Sequence, residues 1–148
     1  MSVITSYRTR IKLSPQKNVE GRVDPTWLLM EEAVEVTAQE LGGRVTGHIV
    51  DAFGRQVRCP FALVTPDFPR GVGVKVGPDG DVTFIYDHYD QEGRGYRRIA
   101  AETAERIVQN YTALAVAKAL ADMDYSVEVE ETRQEDTRTR AVVVRGTL

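Results

Sequence analysis

The segment from Arg98 to Met123 is the strongest constraint in the chain, because it is long, alanine-rich and contains neither proline nor glycine. Ala104, Ile107, Val108, Tyr111, Leu114, Ala115 and Ala119 recur at spacings of three and four, which places them on one face of a helix of period 3.6. The alanines add helix propensity and small side chains that let another layer approach closely. Glu102, Glu105, Gln109 and Lys118 fall on the opposite side, toward water. A helix that is apolar on one face needs a surface to lie on, and the rest of the chain has to supply it.

The preceding residues read as that surface. Val3 to Leu13 alternates Val3, Thr5, Tyr7, Thr9 and Ile11 with Ile4, Ser6, Arg8, Arg10 and Lys12, the period of a strand with one largely polar, basic side. Ser14 to Val23 carries Pro15, Asn18 and Gly21 and reads as a loop. Asp24-Pro25 then starts a first helix as N-cap and first-turn proline, Trp27, Met30, Val34 and Leu41 form its stripe, and Gly42-Gly43 ends it. Strands follow at Val45 to Val50, Gln56 to Val64, Val72 to Val76 and Val82 to Tyr86, the last two joined by a tight turn at Gly77-Pro78-Asp79-Gly80. After the long helix, Tyr125, Val127 and Val129 should pair across Gln134-Glu135-Asp136-Thr137 with Ala141 to Val144. This order predicts a single α+β domain spanning residues 1–148, with two helices packed on one face of an antiparallel sheet. Trp27, Met30, Val34, Ile107, Tyr111 and Leu114 should be buried between the layers.

Composition excludes several classes. With 148 residues, 42% of them hydrophobic, the chain can bury a core without disulfides or metal. A net charge of -3 provides no general attraction for nucleic acid or an anionic membrane. The single cysteine, Cys59, forms no disulfide within the chain and suits a reducing compartment. No apolar run approaches the roughly 18 residues of a membrane span, and Met1 to Lys12 lacks the apolar centre of a signal peptide, so a soluble cytoplasmic protein is expected.

Candidate chemistry is sparse. Tyr86-Asp87-His88-Tyr89-Asp90 is the richest polar stretch and lies at a strand end, where sites tend to sit. Asp87, His88 and Asp90, with His48, carry ligand atoms for a divalent cation, but the two histidines are forty positions apart and no metal or cofactor is expected. Cys59 on a strand reads as a small buried hydrophobe, and paired carboxylates such as Glu31/Glu32 and Glu130/Glu131 read as solvated faces, so no catalytic residue is assigned. Gly71, Gly73, Gly93 and Gly95 lack the Gly-Lys-Ser/Thr of a phosphate loop. Arg94, Arg97 and Arg98 surround Tyr96, and Arg8, Arg10 and Lys12 could extend that basic patch. The neighbouring Asp87, Asp90 and Glu92 weigh against a nucleic acid there and favour a protein-contacting loop, with Tyr96 and Arg97 as an exposed pair.

The opening Met1-Ser2-Val3-Ile4-Thr5-Ser6-Tyr7-Arg8-Thr9-Arg10-Ile11-Lys12 resembles the start of the hypothetical chloroplast reading frame thirty-five family, found in plastid genomes, cyanobacteria and other bacteria. The likeness continues through Val45-Thr46-Gly47-His48, Gly71-Val72-Gly73-Val74, Phe84-Ile85-Tyr86-Asp87, Ile107-Val108-Gln109-Asn110-Tyr111 and Tyr125 to Glu131, nearly the whole chain. Two departures are a later start to the first helix and an Arg- and Gly-rich segment after Asp87. The resemblance implies the same element order, no defined catalytic residues, and association with an AAA+ ATPase, whose genes often neighbour the family's. The expected function is therefore a non-catalytic interaction or adaptor module, self-assembling or binding such an ATPase. The alternatives are a small enzyme using Tyr86, Asp87 and His88, or a nucleic-acid-binding module using Arg94, Arg97 and Arg98.

Overall fold

The computed structural model describes residues 2–123, 126–133 and 140–147, the last two segments as backbone. In chain order the elements are β1 (Ile4–Lys12), β2 (Asn18–Val19), β3 (Arg22–Val23), α1 (Pro25–Leu41), β4 (Arg44–Val50), β5 (Gln56–Val64), β6 (Val72–Val76), β7 (Asp81–Asp87), α2 (Tyr96–Asp122), β8 (Ser126–Arg133) and β9 (Arg140–Thr147). Five strands form an antiparallel sheet in the order β1-β7-β6-β5-β4. β8 pairs with β9 in a separate ribbon that runs beside α2, while Tyr125 and the expected turn at Gln134 to Thr137 lie outside the described residues. Among the described residues, no helix is long and apolar enough to cross a membrane.

Topology follows from length. β1 and β4 occupy opposite edges, so the chain must cross four strand spacings, about 19 Å, between them. The seventeen residues of α1 span about 25 Å and make that crossing over one face. Asp24 caps the helix by accepting from Thr26 N–H at 2.8 Å, and Gly42 ends it in the left-handed region at φ 67°. The Trp27 indole donates to Ser14 O at 2.8 Å, fastening the preceding loop to the helix. That loop contains the small β2–β3 hairpin, which sequence reading missed. Its turn residues Glu20 and Gly21 both have positive φ, and glutamate is not a residue that announces such a turn. The predicted β6–β7 turn is present, with Gly80 N–H donating to Gly77 O at 2.9 Å. Gly80, at φ +86°, lies against the end of β1, where any Cβ would meet Leu13 O at 2.0 Å.

Both helices cover the same side of the sheet. Trp27, Met30 and Val34 of α1 and Ile107 and Tyr111 of α2 share one core with Phe61, Leu63, Val72, Val74, Val82, Phe84 and Tyr86. Between the helices, Asn110 Nδ2 donates to Thr37 Oγ1 at 2.8 Å and to Glu40 Oε1 at 2.6 Å, a polar clasp that runs from the buried Thr37 out to the exposed Glu40. Leu114 differs from expectation. It is half-buried at the margin of the core, because the C-terminal half of α2 runs past the sheet and leaves Val116 and Met123 exposed.

The other face is not open across its width. The β4–β5 register passes from Thr46↔Ala62 to His48↔Arg58, leaving two extra residues on β5 around Pro60. Proline lacks a ladder donor and is tolerated within a sheet at such a bulge, where the strand bends. Run straight, Val50 would lie toward the Val76–Val82 end of the sheet. Instead its N–H donates to Arg70 O at 2.9 Å, and Ala52 N–H donates to the Asp87 carboxylate at 2.9 Å, both at the opposite end. The distal half of the hairpin is thus an arm folded back over the sheet. Beneath it Ile49, Ala62 and Ile85 form a second small core with Val57 and Cys59. Glycines make room for it: a Cβ on Gly73 would lie 2.9 Å from Cys59 Sγ and 3.1 Å from both Ile49 Cγ2 and Ile85 Cγ1.

Candidate functional site

The arm, the N-terminal segment, the β5–β6 connection and the approach to α2 meet at the end of β7, on Asp87. This side chain is fully buried. Its Oδ1 accepts from Val3 N–H at 2.9 Å and Tyr89 N–H at 3.0 Å, and its Oδ2 accepts from Ala52 N–H at 2.9 Å and from the Ser2 hydroxyl. Arg70 stands 3.7 Å away and also donates to the carbonyls of Asp87 (3.2 Å) and Tyr89. Burial by itself would raise the carboxyl, but the Ser2 hydroxyl and the three N–H groups stabilise the anion more and bring its pKa down to about 2. Asp87 is ionised and its acceptor sites are occupied by the scaffold.

The rest of the polar stretch divides among different surroundings. Tyr86 alternates with Asp87 and enters the helix-side core, its ring edge-on to Phe68 at 6.3 Å. Burial pushes its phenol up, partly offset by the charge of Arg97. His88 is half-buried with its ring 6.4 Å from that of Tyr86. Asp90 reaches forward to accept from Gly95 N–H at 2.7 Å and Tyr96 N–H at 3.3 Å, capping α2. The Arg94 N–H, with those of Tyr96, Gly95 and Glu92, outweighs partial burial and lowers the Asp90 carboxyl. This cap explains why α2 begins two residues before the predicted Arg98: Gly95, at φ 76°, has no side chain to announce the start. His48 lies on the arm opposite Arg58. Among the described residues, no three His, Cys, Asp or Glu side chains converge to hold a metal ion.

The basic cluster is likewise divided. Tyr96, expected to be exposed, is buried at 5% exposure. Its ring stands edge-on to Phe68 at 5.1 Å, with the Arg70 and Arg94 guanidinium carbons 4.9 and 5.6 Å from its centre. Arg94 also donates to the Tyr96 hydroxyl at 3.0 Å and pairs with Glu92. Tyr96 is therefore an anchor for the start of α2, because an aromatic ring opening a helix laid on a sheet has a core to enter. Arg97 and Arg98 are exposed, and Arg98 pairs with Glu102 one turn on at 3.4 Å. Arg8 and Arg10 do not extend this patch. They alternate with Tyr7 and Ile11, which pack on the helix-side core, and so project from the opposite face.

Cys59 is half-buried under the arm, and burial raises its thiol against the opposing influence of Lys75 and the N–H groups of Val74 and Ile49. Asp51 closes the tip of the arm by accepting from Phe53 and Arg55 N–H, each at 2.9 Å, and pairing with the Arg55 guanidinium at 2.7 Å. Sequence reading missed Arg70 and Ser2 as partners of Asp87. The one available signal was an isolated charge in Phe68-Pro69-Arg70-Gly71-Val72, a connection otherwise built for packing and turning.

The class defined is an α+β sheet with helices on one face and its own hairpin arm on the other. Compared with known proteins, the chain matches no family model, no curated protein and no solved structure.

Proposed function

We propose that this protein is a non-catalytic interaction module of the cytoplasm, an adaptor working with an AAA+ ATPase as the resemblance of its sequence implies. The observation that supports this reading is the state of Asp87: the residue best placed for acid–base chemistry is spent on holding four chain segments together. Asp90 and Asp51 are committed in the same way, to a helix cap and a turn. Basic side chains are among those left to solvent: Arg97 on the first turn of α2, and Arg8 and Arg10 on the far face.

Affinity capture from native lysate, with and without ATP, tests the reading when the captured proteins are identified by mass spectrometry. Nucleotide-dependent recovery of an AAA+ ATPase is the expected result. Recovery of no ATPase in either condition, or turnover of a small molecule by the purified chain alone, would defeat it.

A further inference from the structure

We infer that the outer edge of β1 receives an acidic, extended peptide segment as a sixth strand. The inference rests on the adaptor reading and names the surface and the chemistry of its partner. Among the described residues β1 is paired on one side only, by β7. His88 N–H donates to Val3 O at 3.0 Å, which fixes the phase of the ladder: Thr5 and Tyr7 turn their backbone groups toward β7, and Ile4, Ser6 and Arg8 turn theirs outward. Three residues therefore offer donors and acceptors to an incoming strand.

The side chains along that edge specify what would pair there. Arg8, Arg10 and Lys12 are exposed, and Lys75 lies in the same cross-strand row as Arg8, with Thr83 between them. Of these four side chains only Lys12 is in an ion pair among the described residues, with Asp81 at 3.6 Å, while Arg8, Arg10 and Lys75 have none there. This concentration of positive charge stands on a chain whose net charge is -3. Two β1 edges would repel each other, so the same charges that discourage a second copy favour a strand bearing carboxylates. Ile4, 48% exposed at the other end, asks for an apolar partner side chain. A bulge between Arg8 and Lys12, where the Thr9 hydroxyl donates to the Val82 carbonyl at 2.8 Å, limits regular pairing to the Ile4–Arg8 half and leaves Arg10 and Lys12 to act by charge.

The test is fluorescence anisotropy of a labelled short peptide alternating glutamate and threonine, with valine at each end, titrated with the full chain. Binding should weaken about tenfold or more in Arg8→Glu/Arg10→Glu and as strongly in Ser6→Pro, which removes an outward donor without touching the β7 ladder. The same peptide N-methylated at every amide keeps its charge but offers no N–H on either of its edges, and should not bind. Equal binding of the methylated peptide, retention by Ser6→Pro, displacement by single-stranded oligothymidylate, or no binding at all would overturn the proposal. So would a dimer in sedimentation that Ser6→Pro dissolves, since a second copy would then hold the edge. Should Ser6→Pro lower the melting temperature, the methylated peptide still decides. ATPase capture that survives Arg8→Glu/Arg10→Glu removes this edge while leaving the adaptor reading intact.

Discussion

The two faces of the sheet are covered in opposite ways. On the helix side, large side chains rise from the strands: Phe61, Leu63, Val74, Phe84 and Tyr86 meet Trp27, Met30 and Ile107, and among the described residues burial is spread over nineteen side chains. On the other side the strands are pared down to Gly71, Gly73 and Ala62, and a bent hairpin of the same sheet lies directly on them. The first cover is held by apolar area. The second depends on close backbone approach and on one buried carboxylate at its end, so the two should respond to different perturbations.

The largest effect should come from the helix side. Phe84→Ala removes a fully buried ring at the centre of the larger core and should cost about 3–5 kcal/mol in chemical denaturation. A loss under about 1 kcal/mol would mean that this face is less tightly packed than its burial indicates.

Asp87 probes the fastening of the arm. Its pKa is lowered from 3.8 to about 2 on folding, so its ionised form contributes stability above about pH 4 that disappears as pH falls toward 2. The shift is worth about 2 kcal/mol. Asp87→Asn must turn an amide N–H₂ toward groups that are themselves donors, and should be less stable than wild type by at least that amount at pH 7. The gap should hold from pH 7 down to about pH 5 and narrow as pH falls from there toward about 3. A gap independent of pH would locate the defect elsewhere.

Gly73→Ala should cost about 1–3 kcal/mol, since the new methyl enters the space of Cys59, Ile49 and Ile85. Adding Cys59→Ala should restore part of the loss, measured as a coupling in a double-mutant cycle. Strict additivity would show that the arm does not rest on this glycine.

Two smaller effects complete the comparison. Leu114→Ala, at the core's margin, should cost about 1–2 kcal/mol, below the range for a fully buried leucine. Arg97→Ala, on an exposed first turn, should leave the melting temperature within about 1 °C of wild type.

These differences also set what could be read from the sequence. The helix-side layer was legible because amphipathic periods of 3.6 and 2 are written locally: Trp27, Met30, Val34, Ile107 and Tyr111 all enter the predicted core. The caps at Asp24 and Gly42 and the turn at Gly80 announced themselves through residue types with few other uses. The arm did not, because a strand that bends at Pro60 has the same alternation as one that runs straight, and the glycines that admit it are silent about what approaches. Tyr96 was misjudged for a related reason. Flanked by Gly95, Arg97 and Arg98 it looks like a surface residue, and only Phe68 and Arg70, distant in sequence, show it to be an anchor. The candidate site was legible as a list of polar residues, but their division among core, clasp and helix cap is a property of the assembled chain.

The glycine lane on β6 has a consequence for variation among related sequences. Positions 73, 59, 49 and 85 enclose one small volume, so a larger residue at any one of them requires a smaller one at another. Val72 and Val74, on the reverse of the same strand, answer instead to residues of the helix-side core. Neighbours in the chain should therefore drift independently, and residues far apart in it should change together. β6 would carry two histories of substitution, one on each side.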